Sequence, residues 1–308
     1  MFGRGFSARR RQKAGVDYAN YSDFYDAEHA DYHDDVRFFV DEAKRAGGPI
    51  LELGCGTGRV LFEVAAAGAT VWGLDNCPLM LEQANKKLAE LPAETQARIT
   101  LLEGSMASFE LNQKFALIYL PFREFMHLMT VRSQLEALAC IKRHLRPGGR
   151  LILNHYDIDL TSLRKGPDLD PVVYRQKHGD FLEAETGRSV LLSATSTFDP
   201  VPQCLYEERI YETLDEQGRV AEKRYVFLTQ RWFFRWEMHH LLERAGLRVE
   251  HLYGSFKREP YREMGQELIW VARQPTVAEL DAEIKALQSH REALAAQDPN
   301  GSTKKVAP

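Results

Sequence analysis

Two hydrophobic periods alternate along the first half of the chain. Five short apolar runs have the length of buried strands, at residues 50–53, 71–74, 99–102, 115–120 and 151–153. Most of the segments between them carry apolar residues at the spacing of an amphipathic helix. Strands that alternate with helices are typical of a parallel sheet with helices on both faces. The pattern therefore predicts an α/β fold with a doubly wound, Rossmann-like sheet.

The second half begins with a different pattern. Three segments rich in Val, Leu, Tyr, Phe and Thr follow one another with no helical period between them, at residues 189–198, 204–214 and 220–230. They predict an antiparallel meander, inserted after the fifth strand at about residues 186–230. A helix and two further strands are predicted after it, at residues 235–245, 247–253 and 267–273. The main sheet would then have seven strands.

Four parts of the chain follow from these patterns. Residues 1–16 are basic and are predicted to form a disordered tail, whereas the acidic residues 17–48 are predicted to form an N-terminal helical lid. The main domain would span residues 49–273, and residues 274–308 would form a C-terminal helix with a loose end. The apolar residues of that helix fall on heptad positions over fewer than three heptads. Packing on its own domain is the prediction, and a homodimer through this helix is the alternative.

Composition excludes several classes of protein. The 308 residues include 40 Lys and Arg against 44 Asp and Glu, and this near neutrality disfavours a nucleic-acid partner. No apolar run is long enough to cross a membrane, and the chain starts without an apolar leader, so a cytoplasmic protein with no membrane partner is expected. The four cysteines are widely spaced and form no C-x-x-C pair, so neither a metal site nor a disulfide framework is predicted.

The segment Glu52-Leu-Gly-Cys-Gly-Thr-Gly58 carries the first chemical signal. Its glycines let the backbone turn sharply after a strand and let a ligand approach without a Cβ clash. Asp75 follows at the end of the next strand, where a carboxylate can accept both hydroxyls of an adenosine ribose. The glycine spacing is G-x-G-x-G and not the dinucleotide G-x-G-x-x-G, which disfavours a nicotinamide oxidoreductase.

With Glu103-Gly-Ser-Met106 and Leu145-Arg-Pro-Gly-Gly149, these motifs resemble the class I S-adenosylmethionine-dependent methyltransferases over about residues 17–273. The Tyr-containing acidic start, the Phe125-Met-His-Leu128 stretch and the meander are similar to small-molecule enzymes, the glycine and aminosugar N-methyltransferases. The resemblance implies methyl transfer from S-adenosylmethionine to a nitrogen or oxygen of a small-molecule acceptor.

The resemblance also implies the residues that hold the cofactor. Gly54, Gly56 and Gly58 would border its methionine part, and Asp75 would hold the ribose. Further residues would contact the adenine, close the methionine end or line the end of the fourth strand: Met80, Ser105, Met106, Tyr18, Tyr25 and Leu120. The remaining candidates are neighbours on the same motifs: Glu52, Cys55, Thr57, Asn76 and Gly104.

An acceptor amine must be neutral when it attacks, so a base is expected near the carboxyl ends of strands four and five. His127 lies just past the fourth strand, in the position of a site histidine in similar enzymes. His155 follows the fifth strand, next to Tyr156; the alternative is a wall residue bonded to backbone. Arg123 could clamp a substrate carboxylate or form a surface ion pair.

Two rival functions share the same cofactor domain. One is an RNA or protein methyltransferase, and the other is a non-catalytic S-adenosylmethionine-binding protein. Amino-directed nucleic-acid methyltransferases need an Asn/Asp-Pro-Pro-Tyr/Phe segment after the fourth strand. Tyr119-Leu-Pro-Phe122 lacks its acid or amide and its first proline.

Overall fold

The computed structural model describes residues 18, 21–158, 175–184 and 186–297. The predicted basic tail, residues 1–16, and the loose end after residue 297 lie outside these ranges. The elements in chain order are α1 (Ser22–Glu28), α2 (Asp34–Ala46), β1 (Ile50–Leu53), α3 (Leu61–Ala66), β2 (Val71–Asp75), α4 (Pro78–Glu90), α5 (Ala93–Gln96), β3 (Ile99–Glu103), β4 (Phe115–Leu120), a 3-10 helix (Glu124–His127), α6 (Val131–His144), β5 (Leu145–Tyr156), β6 (Arg175–Leu182), β7 (Ser189–Asp199), β8 (Cys204–Leu214), β9 (Val220–Arg231), α7 (Arg235–Arg244), β10 (Arg248–Tyr253), β11 (Glu267–Arg273) and α8 (Val277–Gln297).

The main sheet has seven strands in the order β10-β11-β5-β4-β1-β2-β3. The pairs among β1 to β5 are parallel, and β11 lies antiparallel between β5 and β10. The chain reverses direction across the sheet between β1 and β4, so ligands are expected at the carboxyl ends of these central strands. The predicted doubly wound, seven-stranded fold is confirmed.

Side chains of the central strands alternate between two apolar layers. In β1, Leu51 and Leu53 belong to one buried cluster, and Ile50 belongs to the cluster on the opposite face. Because both faces are covered, the central strands are continuous apolar runs with no polar face. Phe39 of α2 stacks on Tyr119 of β4, so the N-terminal helices cover the second face.

A second sheet of four antiparallel strands, β6-β7-β8-β9, is inserted between β5 and α7. The three predicted meander segments correspond to β7, β8 and β9. The sheet starts earlier than predicted, because β6 (Arg175–Leu182) adds a fourth strand. Most of its residues, Arg-Gln-Lys-His-Gly-Asp-Phe-Leu, are polar, so no apolar period marks it.

The N-terminal helices attach the two sheets to each other. On α1, Glu28 accepts hydrogen bonds from Arg209 at 3.0 Å and from the Tyr211 hydroxyl at 2.7 Å, both on β8. On α2, the buried Asp35 forms a two-pronged ion pair with Arg59, which lies just after the glycine loop. The N-terminal segment is therefore helical, and it contacts the second sheet through α1 and the region of the glycine loop through α2.

The C-terminal helix differs from its prediction. The apolar row of α8 is exposed to solvent, with side chains such as Val277 and Leu287 at 66% and 69% exposure. Ion pairs of Glu279 with Arg273 and of Glu283 with Arg248 attach the start of the helix to the sheet. The predicted packing of this row on its own domain is therefore wrong. No helix in the described part of the chain is long and apolar enough to cross a membrane.

Candidate active site

The loop after β1 is a tight turn that only glycine accommodates without strain. Gly54, Gly56 and Gly58 have φ values of +72°, +53° and +83°, in the left-handed region. Asp75, at the end of β2, accepts hydrogen bonds from the backbone N–H of Gly56 at 2.7 Å and of Cys77 at 2.8 Å. Its carboxylate therefore joins the loop after β1 to the loop after β2, where the predicted ribose site lies.

A first cavity lies along this loop, and we call it the glycine-loop cavity. Its lining is Tyr18, Gly54, Leu74, Asp75, Asn76, Gly104, Met106 and Glu124. Six of the predicted cofactor residues are thus brought together. The helix α4 begins at Pro78 after Cys77 without a side-chain cap, so Asn76 does not cap it.

The other predicted cofactor residues do not line this cavity. Met80 is buried under the loop, with its terminal methyl 3.4 Å from the place of a Cβ on Gly56. The Ser105 hydroxyl accepts a bond from the N–H of Ala107. The Thr57 hydroxyl donates to Asp26 on α1 at 2.6 Å. Cys55 and Leu120 are buried. These residues shape the loop and do not line the cavity.

Glu52 also faces away from the glycine-loop cavity. Its carboxylate accepts a hydrogen bond from the Tyr119 hydroxyl at 2.6 Å, on the face covered by α2. The side chain is almost fully buried, and burial raises the pKa of Glu52 to about 8. At neutral pH its protonated form is therefore favoured.

The loop after β4 brings one unpredicted residue to the cavity. Phe122 and Arg123 have φ values of +52° and +71°, a conformation that costs energy for residues with a Cβ. The turn places the Glu124 side chain against the glycine loop, where a Cβ on Gly54 would lie 2.5 Å from its carboxylate oxygen Oε2. Burial raises the pKa of Glu124 well above its usual range, and the nearby Asp75 and Glu52 raise it further.

A second cavity lies beside the first, and we call it the tyrosine cavity. The N-terminal segment contributes Tyr18, Tyr21, Tyr25 and His29; the loop after β4 contributes Phe122, Arg123, Glu124 and His127; the second sheet contributes Arg209, Val226, Leu228 and Gln230. The last three alternate along β9, so one face of that strand forms a wall. Tyr18 and Glu124 line both cavities.

His127 is the predicted catalytic residue that the structure brings to the tyrosine cavity. Its ring hydrogen-bonds the backbone of Thr229, and its buried Nδ1 has no partner among the described residues. The bond to Thr229 is therefore made by Nε2. Burial lowers the pKa of His127 to about 4, so the ring is neutral at physiological pH and Nδ1 is a hydrogen-bond acceptor.

The structure does not bring His155 to either cavity. The strand β5 continues to Tyr156, so His155 lies within the sheet and not after it. Its Nδ1 bonds the backbone carbonyl of Tyr156 at 3.0 Å, and its Nε2 accepts from the Trp270 indole N–H at 3.0 Å. Because both ring nitrogens are hydrogen-bonded, His155 is a wall residue, which was the alternative prediction, and not a base at the site.

Arg123 and Tyr156 form a cluster at the edge of the tyrosine cavity. Arg123 makes two hydrogen bonds to Glu267, at 3.0 and 3.2 Å, and its guanidinium lies 5.2 Å from the centre of the Tyr156 ring. Asn154 donates to the same carboxylate at 2.6 Å. Arg123 therefore lines the tyrosine cavity with its guanidinium already paired to Glu267. The Tyr156 hydroxyl is buried without a hydrogen-bond partner among the described residues.

The glycine-loop cavity has the features that an adenosyl sulfonium ligand needs. A backbone without Cβ atoms lets the ligand approach, and the Asp75 carboxylate stands at the strand end that receives a ribose. The carboxylates of Asp75 and Glu124 give the cavity a negative lining that suits a positively charged ligand. The residues present therefore fit S-adenosylmethionine.

Comparison with known proteins agrees with this geometry. A methyltransferase-domain family matches residues 50–149. A cypemycin N-terminal methyltransferase from Streptomyces sp is 28% identical over 228 residues, which cover 73% of this chain and 82% of the relative. An aminosugar-nucleotide N,N-dimethyltransferase from Streptomyces venezuelae is 31% identical over 129 residues, or 42% of this chain and about half of the relative.

The fold is also shared with a solved structure. An amino pentose methyltransferase from Micromonospora echinaspora, bound to S-adenosylmethionine, superposes with a TM-score of 0.60 at 25% identity, over 82% of this chain and 96% of that one. The matched domain, these relatives and the cradle around Asp75 show an S-adenosylmethionine-dependent methyltransferase that resembles the class I enzymes.

Proposed function

We propose that this enzyme methylates an amine nitrogen of a small molecule that binds in the tyrosine cavity. The observation that supports this proposal is the shared wall of the two cavities, formed by Tyr18 and Glu124. A ligand in the tyrosine cavity would adjoin one in the glycine-loop cavity. Alignment of two reactants in adjoining sites contributes on the order of 7 kcal/mol or more to catalysis.

S-adenosylmethionine, when bound, supplies a methyl group on a positively charged sulfur. The chain's own residues have three tasks around it. The glycine loop and Asp75 hold the cofactor, as the resemblance and the lining of the first cavity suggest. Tyr18, Tyr21 and Tyr25 of the lid cover the acceptor and exclude water. His127 accepts a hydrogen bond from the acceptor through Nδ1 and so orients its reactive atom.

The names of three similar proteins favour nitrogen over oxygen, and His127 itself offers no strong base for a hydroxyl acceptor. A hydroxyl acceptor loses its proton as it attacks and needs a base that takes it up. The pKa of His127 is lowered to about 4, so its ring accepts a hydrogen bond but is a poor final base at neutral pH. The names of three similar proteins describe methylation of a peptide N-terminus, of an aminosugar and of an amino pentose.

The acceptor class is favoured by the aromatic lining of the tyrosine cavity. Three tyrosines and Phe122 offer ring faces and hydroxyls together, which suits a sugar or a short peptide segment. The cations that line the cavity are engaged: Arg123 with Glu267, and Arg209 with Glu28 and Glu207. This pairing leaves little to attract a phosphate backbone, which supports a small molecule over RNA.

A labelled-methyl assay on matched acceptor pairs tests the proposal. A 3-aminosugar nucleotide is compared with its 3-hydroxyl counterpart, and a short peptide with a free N-terminus is compared with its acetylated form. Label is expected on at least one amine and on neither blocked partner. Transfer only to a hydroxyl, only to RNA or only to a folded protein would refute the proposal, as would cofactor binding without transfer to any of these.

Substitution of His127 tests its assigned task. His127→Ala is expected to lower turnover about tenfold, the value of one hydrogen bond of about 1.4 kcal/mol, with unchanged cofactor affinity. The matched control is His251→Ala, since His251 is an exposed histidine on β10 outside both cavities. Equal turnover of the two variants would remove His127 from the site.

A further inference from the structure

Glu124 occupies the junction between the two cavities. It lines both of them, and its carboxylate oxygen lies 2.5 Å from the place of a Cβ on Gly54. The other residue that lines both cavities is Tyr18, whose hydroxyl has its pKa raised well above 10 by burial. Glu124 is thus the carboxylate that a reacting atom would meet when it passes from the tyrosine cavity toward the glycine loop.

Within the described part of the chain, the Glu124 carboxylate has neither a side-chain donor nor a cation beside it. Among the described residues, no side chain donates a hydrogen bond to it and none forms an ion pair with it. Its neighbour Arg123 is turned away to Glu267, and Arg209 of the tyrosine cavity is paired with Glu28 and Glu207. A partly buried carboxylate without a cation is costly, and a positively charged ligand would relieve that cost.

We propose that Glu124 accepts a proton from a protonated amine acceptor and thereby selects ammonium substrates. The inference rests on the proposed function. In this step an N–H bond of the ammonium breaks and an O–H bond forms on the Glu124 carboxylate. The electron pair stays on nitrogen as the lone pair of a neutral, nucleophilic amine. After the product leaves, the proton passes from Glu124 to water, and the carboxylate is restored.

The surroundings of Glu124 favour this role over a role for His127. Burial and the carboxylates of Asp75 and Glu52 raise the pKa of Glu124 well above its usual range, whereas burial lowers the pKa of His127 to about 4. Of the two groups that face the acceptor, the carboxylate is therefore the stronger base and the imidazole the weaker one. The imidazole can still orient the amine while the carboxylate receives its proton.

Several other ionisable groups lie around this junction, either lining a cavity or acting on the Glu124 carboxylate through its electrostatics. They are Glu52 on β1, Asp75 on β2, Tyr18 and Tyr25 of the N-terminal segment, His29 after α1 and Arg209 on β8. The two tyrosine pKa values are raised by burial, and that of His29 is lowered to about 3, so these three stay neutral near pH 7. The pH response of proton uptake is therefore expected to come from Glu124 and its two acidic neighbours.

The variant Glu124→Gln tests the proposal, because it keeps the shape of the side chain and removes the proton acceptor. With whichever amine the wild type methylates, aminosugar nucleotide or peptide, turnover near pH 7 is expected to fall about 100-fold. The loss should shrink about tenfold for each pH unit of increase, because the amine then loses its proton in solution. Cofactor affinity, measured by calorimetry, should change by less than about threefold.

Two comparison variants keep the result interpretable. Glu136→Gln removes an exposed carboxylate that pairs with Arg132 on α6, and it should behave as wild type. Glu124→Asp retains a carboxylate and should keep the pH profile of the wild type at a reduced rate, even if Glu124→Gln lowers the melting temperature.

Other outcomes would overturn the assignment. A loss of the same size at every pH would make Glu124 a positioning residue only. A loss of cofactor affinity equal to the loss of turnover would make its carboxylate a counter-ion of the cofactor. Amine methylation with an unchanged Glu124→Gln profile would refute the role of Glu124 and leave the proposed function standing. Absence of amine methylation by the wild type would refute both.

Discussion

Asp75→Ala tests whether the Asp75 carboxylate holds the glycine loop in place at the end of the second strand. The Asp75 carboxylate accepts two backbone N–H bonds, from Gly56 at 2.7 Å and from Cys77 at 2.8 Å. A buried N–H that loses its partner costs about 1–3 kcal/mol, so two cost about 2–6 kcal/mol. Because the shortened side chain leaves room for water beside both groups, the expected loss of unfolding free energy lies near the lower value.

The same substitution should weaken cofactor binding by a larger factor. If the carboxylate also accepts the two ribose hydroxyls, its removal deletes two charge-assisted hydrogen bonds of about 1.5–3 kcal/mol each. The dissociation constant should then rise at least 100-fold. Asp75→Asn keeps one oxygen but places an NH2 group against one of the two N–H donors, so its loss of stability should be about half that of Asp75→Ala.

Calorimetry with S-adenosylhomocysteine measures the affinity, and urea unfolding of the cofactor-free protein measures the stability. Glu136→Ala is the control, since it removes an exposed carboxylate that lines neither cavity. Unchanged affinity in Asp75→Ala would refute the ribose assignment. Equal stability of wild type and Asp75→Ala would show that the two backbone bonds do not hold the loop.

Two further predictions concern the supports of the site. Asp35→Ala leaves the Arg59 guanidinium without its buried partner, so it should lower the unfolding free energy by about 3–5 kcal/mol. The exposed control Glu136→Ala should lower it by less than about 1 kcal/mol. Urea unfolding measures both values. The pKa of Glu52 rises from 4.5 to about 8 on folding, so the folded state binds an extra proton in this pH range. The unfolding free energy of the wild type should therefore fall as pH rises from 4.5 to 8, whereas that of Glu52→Gln should not change with pH for this reason. Urea unfolding at several pH values measures both, and equal pH slopes of the two proteins would refute the pKa shift.

The fold could be predicted because its signals are local. The apolar runs of β1 and β4 are buried on both faces, and such strands need no information from distant parts of the chain. The glycine loop could also be predicted from the sequence, because a left-handed φ at Gly54 favours a residue without Cβ. By contrast, β6 consists largely of polar residues whose strand conformation depends on pairing with β7. No pattern within the segment indicates it.

The acceptor side of the site could not be predicted for a related reason. Glu124 reaches the glycine loop because Phe122 and Arg123 adopt left-handed conformations, which neither residue type indicates. His155 looked like the residue after a strand because Asn154 and His155 are polar. Pairing of His155 with Leu268 of β11 extends β5 past both and buries them. These features depend on contacts between residues far apart in the chain.

The charge balance at the junction favours removal of the acceptor's proton before transfer. Two unit positive charges at about 4 Å repel each other by about 4 kcal/mol at an effective dielectric constant near 20. This repulsion would oppose the approach of an ammonium to a sulfonium. An ammonium also has no lone pair with which to attack the methyl group. The acids that reach this point, Asp75 and Glu124, attract both cations to the junction, and the cavity's arginines are already paired with other acids. Once Glu124 takes the proton, the acceptor is neutral, the repulsion disappears, and the same step that activates the nucleophile permits its approach.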